Sequence, residues 1–100
     1  MEPEYIARIA RALGHPTRIR ILRLLAEQDE CCGKELFSEL PLPQSTVSQH
    51  LAVLKSAGLI QSKPNGTSQV YCVKSCVLME AIAAMTDIID GHPEFAREEA

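Results

Sequence analysis

The stretch Pro43-Gln44-Ser45-Thr46-Val47-Ser48-Gln49-His50-Leu51, running on through Leu54-Lys55-Ser56-Ala57-Gly58-Leu59-Ile60, decides how this chain is read. Val47, Leu51 and Leu54 recur at the spacing of one helix face, so residues 44–57 read as a helix with that stripe inward. Ser45, Thr46, Ser48, Gln49, His50 and Lys55 then point outward. Gly58 suits the left-handed residue that closes a helix. Residues 59–63 and 69–73 read as two strands around Pro64-Asn65-Gly66-Thr67, a turn in which Asn-Gly tolerates positive φ. Residues 40–79 contain no aspartate or glutamate, yet carry Lys55, Lys63, Lys74 and His50. The whole chain has a formal net charge of -3, so this gap needs a cause. A polyanion held against the surface is a simple one, since lysine gains by displacing counterions from phosphates and a carboxylate there would be repelled.

Working outward, residues 3–13 show Ile6, Ile9, Ala10 and Leu13 on one helical face. Gly14 and His15 break that helix, and Pro16 suits the first turn of the next. Residues 16–27 turn Ile19, Leu22, Leu25 and Ala26 inward, and Ile21 and Leu24 widen the apolar face, as in a central helix. A short extended piece at Cys31-Cys32 precedes a short helix over 34–40, with Leu36, Phe37 and Leu40 inward. Pro41-Leu42-Pro43 ends it. Ser75 can cap a last helix through about residue 90, stopped by Gly91-His92-Pro93, and residues 91–100 read as a frayed tail. The fold class is therefore mainly α, with about five helices and a small β-hairpin. Two helices joined by a short turn and followed by the hairpin make a winged helix-turn-helix. A plain helical bundle with a decorative hairpin is the alternative, and it leaves the acid-free stretch unexplained.

One hundred residues make a single domain over 1–100, with a core small enough that a dimer would usefully hide more apolar surface. No apolar run approaches the roughly 20 residues needed to span a bilayer. The start, Met1-Glu2-Pro3-Glu4, lacks a basic signal-peptide region. These features point to the cytoplasm, where thiols stay reduced. Charge is layered along the chain: residues 5–76 carry +4 and residues 77–100 carry -5. That suits a nucleic-acid binder whose last helix points away from phosphates.

In a helix-turn-helix the second helix enters the major groove of double-stranded DNA. Ser45, Thr46, Ser48, Gln49 and His50 are the candidate readers, glutamine being able to pair with an adenine edge. Lys34 and Lys55 are candidate phosphate clamps. Lys63, Asn65, Thr67 and Gln69 sit on the hairpin, placed for backbone or minor-groove contacts.

These elements together resemble the ArsR/SmtB family of bacterial winged-helix repressors. The resemblance is carried by Ala12-Leu13-Gly14-His15-Pro16-Thr17-Arg18-Ile19-Arg20-Ile21-Leu22, by Lys34-Glu35-Leu36, by Gln44-Ser45-Thr46-Val47-Ser48-Gln49-His50-Leu51 and by Leu54-Lys55-Ser56-Ala57-Gly58-Leu59-Ile60. It implies a homodimer built from the first and last helices, operator binding that blocks transcription, and release by an inducer. The last helix supports a dimer on its own pattern. Val77, Ala81, Ala84 and Ile88 form one stripe, and Leu78, Ile82, Met85 and Ile89 another. One stripe can serve the chain's own core, whereas a second would be exposed in a monomer. Ile6, Val77, Ala81, Ala84 and Ile88 are the candidate interface.

The resemblance also implies sensing through a Cys-x-Cys at the start of the third helix. Here that stretch is Cys32-Gly33-Lys34, with an extra Cys31 before it. Asp87, Asp90 and His92 lack the spacing of the family's zinc site on the last helix. In a winged helix the extended piece at Cys31-Cys32 would lie beside the second wing strand, which holds Cys72, and Cys76 follows one helical turn later. Cys31, Cys32, Cys72 and Cys76 are thus candidates for binding a soft ion such as As(III), Cd(II) or Zn(II), or for a reversible disulfide. Plain packing is the competing role for such small apolar side chains. No acid–base pair, phosphate loop or nucleophile constellation argues for an enzyme. The function expected is a sequence-specific DNA-binding repressor released by a thiol-reactive inducer. A winged-helix protein-interaction module is the alternative.

Overall fold

The computed structural model describes residues 2–27 and 38–90. Among them, α1 spans Pro3–Leu13, α2 Pro16–Ala26, α3 Gln44–Ser56, β1 Ile60–Asn65, β2 Ser68–Val73 and α4 Ser75–Asp90. The expected short helix over 34–40 and the piece at Cys31-Cys32 lie outside the described residues, apart from helical Ser38 and Glu39 and buried Leu40.

Local chemistry sets the helix starts. Pro3 and Pro16 occupy first turns, where a missing N–H costs no helical bond. His15, expected as a breaker, is the N-cap of α2: its Nδ1 accepts from the Thr17 N–H at 3.1 Å. Its carbonyl accepts from Arg18 and Ile19. Ser75 was expected to cap the last helix but lies in its first turn, and the Lys74 carbonyl accepts from Val77 at 3.0 Å and Leu78 at 3.4 Å.

The core joins all the described elements. Ile9 of α1, Ile21 of α2, Val47 and Leu54 of α3, and Leu59 and Ile60 at the start of the hairpin are its largest fully buried side chains. Val47, Leu51 and Leu54 face inward as their spacing demands. Ala10 and Ala26 are exposed instead of inward, and Ala12 is buried in α1. A small side chain at the rim of a stripe is easily displaced by a larger neighbour, here half-buried Tyr5 and Leu13.

Gly58 adopts φ +83°, the left-handed conformation expected at a helix end. The Leu59 N–H donates to the Leu54 carbonyl at 3.0 Å, and the Lys74 N–H donates to the Leu59 carbonyl at 2.9 Å. These bonds tie the end of α3, the root of the hairpin and the start of α4 together.

The strands pair antiparallel from Ile60↔Val73 to Asn65↔Ser68. They run further than expected, which leaves Gly66-Thr67 as a two-residue loop. Gly66 has φ +69°, and among the described residues no non-glycine residue has positive φ. The left-handed position is therefore first in the loop, as in a type II′ turn, and Asn65 stays in the strand. Pro64 faces Gln69 one pair inside the closing pair. In that alternation Pro64 is a non-hydrogen-bonded position, so its missing N–H removes nothing from the ladder.

Candidate nucleic-acid interface

Burying Val47, Leu51 and Leu54 fixes what α3 shows to solvent. Ser45, Ser48, Gln49 and Lys55 are exposed, and Thr46 and His50 are half-buried. On the hairpin Lys63, Asn65, Thr67 and Gln69 are exposed. Helix and hairpin meet at a cleft of about 290 Å³, where Ser48, Lys55, Ser62 and Gln69 surround a floor that includes Leu51 and Tyr71. The structure thus gathers Ser48, Lys55 and Gln69 around one concavity, with Asn65 and Thr67 further out at the hairpin tip. Lys34 lies outside the described residues. Ser62 and Tyr71 were not foreseen, because cross-strand neighbours follow from the hairpin register. Lys55 and Lys63 are exposed within the acid-free segment, so no carboxylate of residues 40–79 opposes a phosphate there.

His50 is held rather than free. Arg18 of α2 donates from Nε to His50 Nδ1 at 3.3 Å. The same guanidinium donates from Nη1 to the carbonyls of Arg11 at 3.1 Å and Ala12 at 3.4 Å, near the end of α1. The His15 ring lies 4.5 Å from the His50 ring, centroid to centroid, tilted by 53°. Desolvation lowers the His50 pKa from its usual 6.5, and the neighbouring His15 and Arg18 lower it further. These effects favour the neutral form of His50.

The thiols divide. Cys72 sits half-buried on β2, opposite Gln61, and is disulfide-bonded. Cys76 in the first turn of α4 is an exposed free thiol. Cys31 and Cys32 lie outside the described residues. Among the described residues no group of three His, Cys, Asp or Glu is placed to hold a metal ion. His92 is likewise outside the described residues.

The last helix presents an apolar surface, but not with the division expected. Val77 and Ala81 are buried in the chain's own core, so they are not available to a second copy. Met79, Ile82, Ile88 and Ile89 are 56–68 % exposed. Ala84 and Ile6 are half-buried. The helix packs on α1 with Val77 and Ala81 in the core and Leu78 and Met85 partly buried against it, which leaves Met79, Ile82, Ile88 and Ile89 uncovered. No helix among the described residues is long and apolar enough to cross a membrane.

Four described helices with a hairpin directly after the exposed polar helix define a winged helix-turn-helix, a DNA-binding domain. Residues 15–62 match the family model described as bacterial regulatory protein, arsR family. The uncharacterized HTH-type transcriptional regulator MJ1325 of Methanocaldococcus jannaschii is 38 % identical over 85 residues, covering 85 % of this chain and 96 % of that protein. The crystal structure of Rv0081 from Mycobacterium tuberculosis has a TM-score of 0.67 at 31 % identity, covering all of both chains. The homodimeric winged helix-turn-helix DNA-binding domain of Mb0332 from Mycobacterium bovis has a TM-score of 0.68 at 29 % identity, covering 89 % of this chain and 82 % of that one. The chain belongs to the ArsR family of DNA-binding transcriptional regulators.

Proposed function

We propose that the chain is a homodimeric, cytoplasmic repressor that reads an operator with α3 and the hairpin and is released by a change in the redox state of its thiols. The observation that carries the release step is the disulfide at Cys72, placed on the strand that forms one wall of the α3–hairpin cleft. Cys32 is the proposed partner, with Cys31 and Cys76 in reserve as resolving thiols. Forming the bond joins two sulfurs, releases two protons and passes two electrons to an oxidant; a thiol reductant reverses it. In a compartment that keeps thiols reduced, the bond marks oxidative conditions. A covalent pull at Cys72 acts at the base of the hairpin and so changes the angle between wing and reading helix.

Binding of As(III), Cd(II) or Zn(II) by the reduced cysteines is the alternative release step, and the disulfide at Cys72 favours the redox one.

For the dimer, the exposed Met79, Ile82, Ile88 and Ile89 of α4 form the proposed seam, with Ile6 and Ala84 at its edge. A two-fold dimer presents two reading helices to two half-sites. Lys34, Ser45, Thr46, Ser48, Gln49, His50, Lys55, Lys63, Asn65, Thr67 and Gln69 remain the proposed DNA-contacting set.

The test is a gel shift on the chain's own promoter with protein reduced by excess thiol and protein oxidised by a mild oxidant. The two states should differ in affinity, and Cys72→Ser should behave alike in both. Equal affinity of reduced and oxidised wild type, or a Cys72→Ser variant that still switches, overturns the redox step. A parallel titration with As(III), Cd(II) and Zn(II) on reduced protein decides for the ion version if only the ions release DNA.

A further inference from the structure

We infer that Arg18 is a positioning residue for DNA reading: it fixes the tautomer of His50 so that this side chain meets DNA as a hydrogen-bond donor through Nε2. The inference rests on the DNA-binding reading of α3. A guanidinium donates and never accepts. The Arg18 Nε–H bond to His50 Nδ1 therefore requires that Nδ1 carry no proton. A neutral imidazole has its one proton on the other nitrogen, so Nε2 is a donor. No hydrogen bond to Nε2 of His50 occurs among the described residues, which leaves that N–H for an acceptor outside the chain.

Arg18 can impose this because it is itself tied down. Its Nη1 is held by the Arg11 and Ala12 carbonyls near the end of α1. One side chain thus links α1, α2 and the reading helix. The groups facing His50 are His15 from the corner between α1 and α2, with a ring 4.5 Å away, and Arg18 from α2. On α3 itself residues 44–54 contain no other charged side chain, and residues 40–79 contain no carboxylate that could hold a proton on Nδ1. The His15 Nδ1 likewise accepts a hydrogen bond, from the Thr17 N–H. A donor at the edge of the reading helix fits acceptors: a phosphate oxygen, or N7 and O6 of guanine. It does not fit the amino groups of cytosine or adenine.

The tautomer can be read without DNA. In nitrogen-15 spectra of the full chain above pH 7, His50 should show an unprotonated, pyridine-type Nδ1 and a protonated, pyrrole-type Nε2. Arg18→Gln should move the two resonances toward each other as the tautomers mix. Arg20→Gln removes the same charge from an exposed position of the same helix and should leave them in place. A wild-type His50 with its proton on Nδ1 overturns the inference whether or not any variant folds. So does an Arg18→Gln spectrum identical to wild type. On the operator, Arg18→Gln and His50→Ala should each weaken binding by about tenfold, the scale of one lost base contact. If Gln49→Ala weakens binding while Arg18→Gln and His50→Ala do not, α3 reads DNA without His50 and the inference fails alone. If all three bind like wild type, the DNA docking itself fails.

Discussion

Gly58→Ala probes the joint between the reading helix and the wing. The backbone there has φ +83°, and the Cβ of an alanine would meet nothing nearer than Tyr5 Oη at 3.6 Å. That distance is ordinary contact, so the penalty is conformational and not steric against neighbours. An L-residue in the left-handed region costs about 1–2 kcal/mol. Alanine also restricts the unfolded chain, which returns about 0.4–1 kcal/mol. The net is a loss of about 1 kcal/mol, or a fall in Tm of about 4–8 °C for a domain of this size. Gly14→Ala is the internal control. Gly14 sits at φ -82°, and its added Cβ would lie 3.4 Å from the Ala10 and Arg11 carbonyls, so only the unfolded-state gain and a mild contact remain. Thermal and urea unfolding of both variants at equal protein concentration would measure the difference. A Gly58→Ala protein as stable as Gly14→Ala would refute the claim that this left-handed joint, rather than tertiary contact, selects glycine.

Further outcomes are open to measurement. Gln49→Ala should lose about 1–3 kcal/mol of specific binding and relax base preference, whereas Lys63→Ala should weaken all sequences alike and reduce the salt slope by about one; a gel shift unmoved by both would exclude the proposed docking. Ile82→Asp or Ile88→Asp places an unpaired charge in the α4 seam at a cost of about 3–5 kcal/mol, so sedimentation should show monomers that keep their fold, because both positions are exposed within one chain. Retained dimers would move the interface elsewhere. The lowered His50 pKa means that the unfolded chain binds its proton more readily than the folded one. The stability it contributes is complete above about pH 6.5 and falls as pH drops below that value through the lower folded pKa. His50→Gln should flatten this part of the stability–pH profile, and an unchanged profile would show that His50 does not govern it.

Much of the architecture was legible in the chain because it rests on local geometry. The stripe of Val47, Leu51 and Leu54, the prolines at the starts of α1 and α2, and Gly58 at the end of α3 each follow from helix period or from one residue's allowed backbone angles. The acid-free segment is likewise a property of composition, and it spans the helix and hairpin proposed to meet DNA. Tertiary structure decided the rest. Two stripes on α4 have nearly the same apolar content, and only tertiary packing decides that each is covered in part, with Val77, Ala81, Leu78 and Met85 toward the core while Ile82, Ile88 and Ile89 stay out. The hairpin turn narrowed from Pro64–Thr67 to Gly66-Thr67 because ladder closure selects the register and carries Pro64 and Asn65 into the strand. His50 read as an outward-facing candidate DNA reader with no partner in the chain, since Arg18 is 32 residues away. A hydrogen bond across that separation exists only once α1, α2 and α3 share a core, because no periodicity in the sequence encodes which side chains two packed helices bring within 3.3 Å.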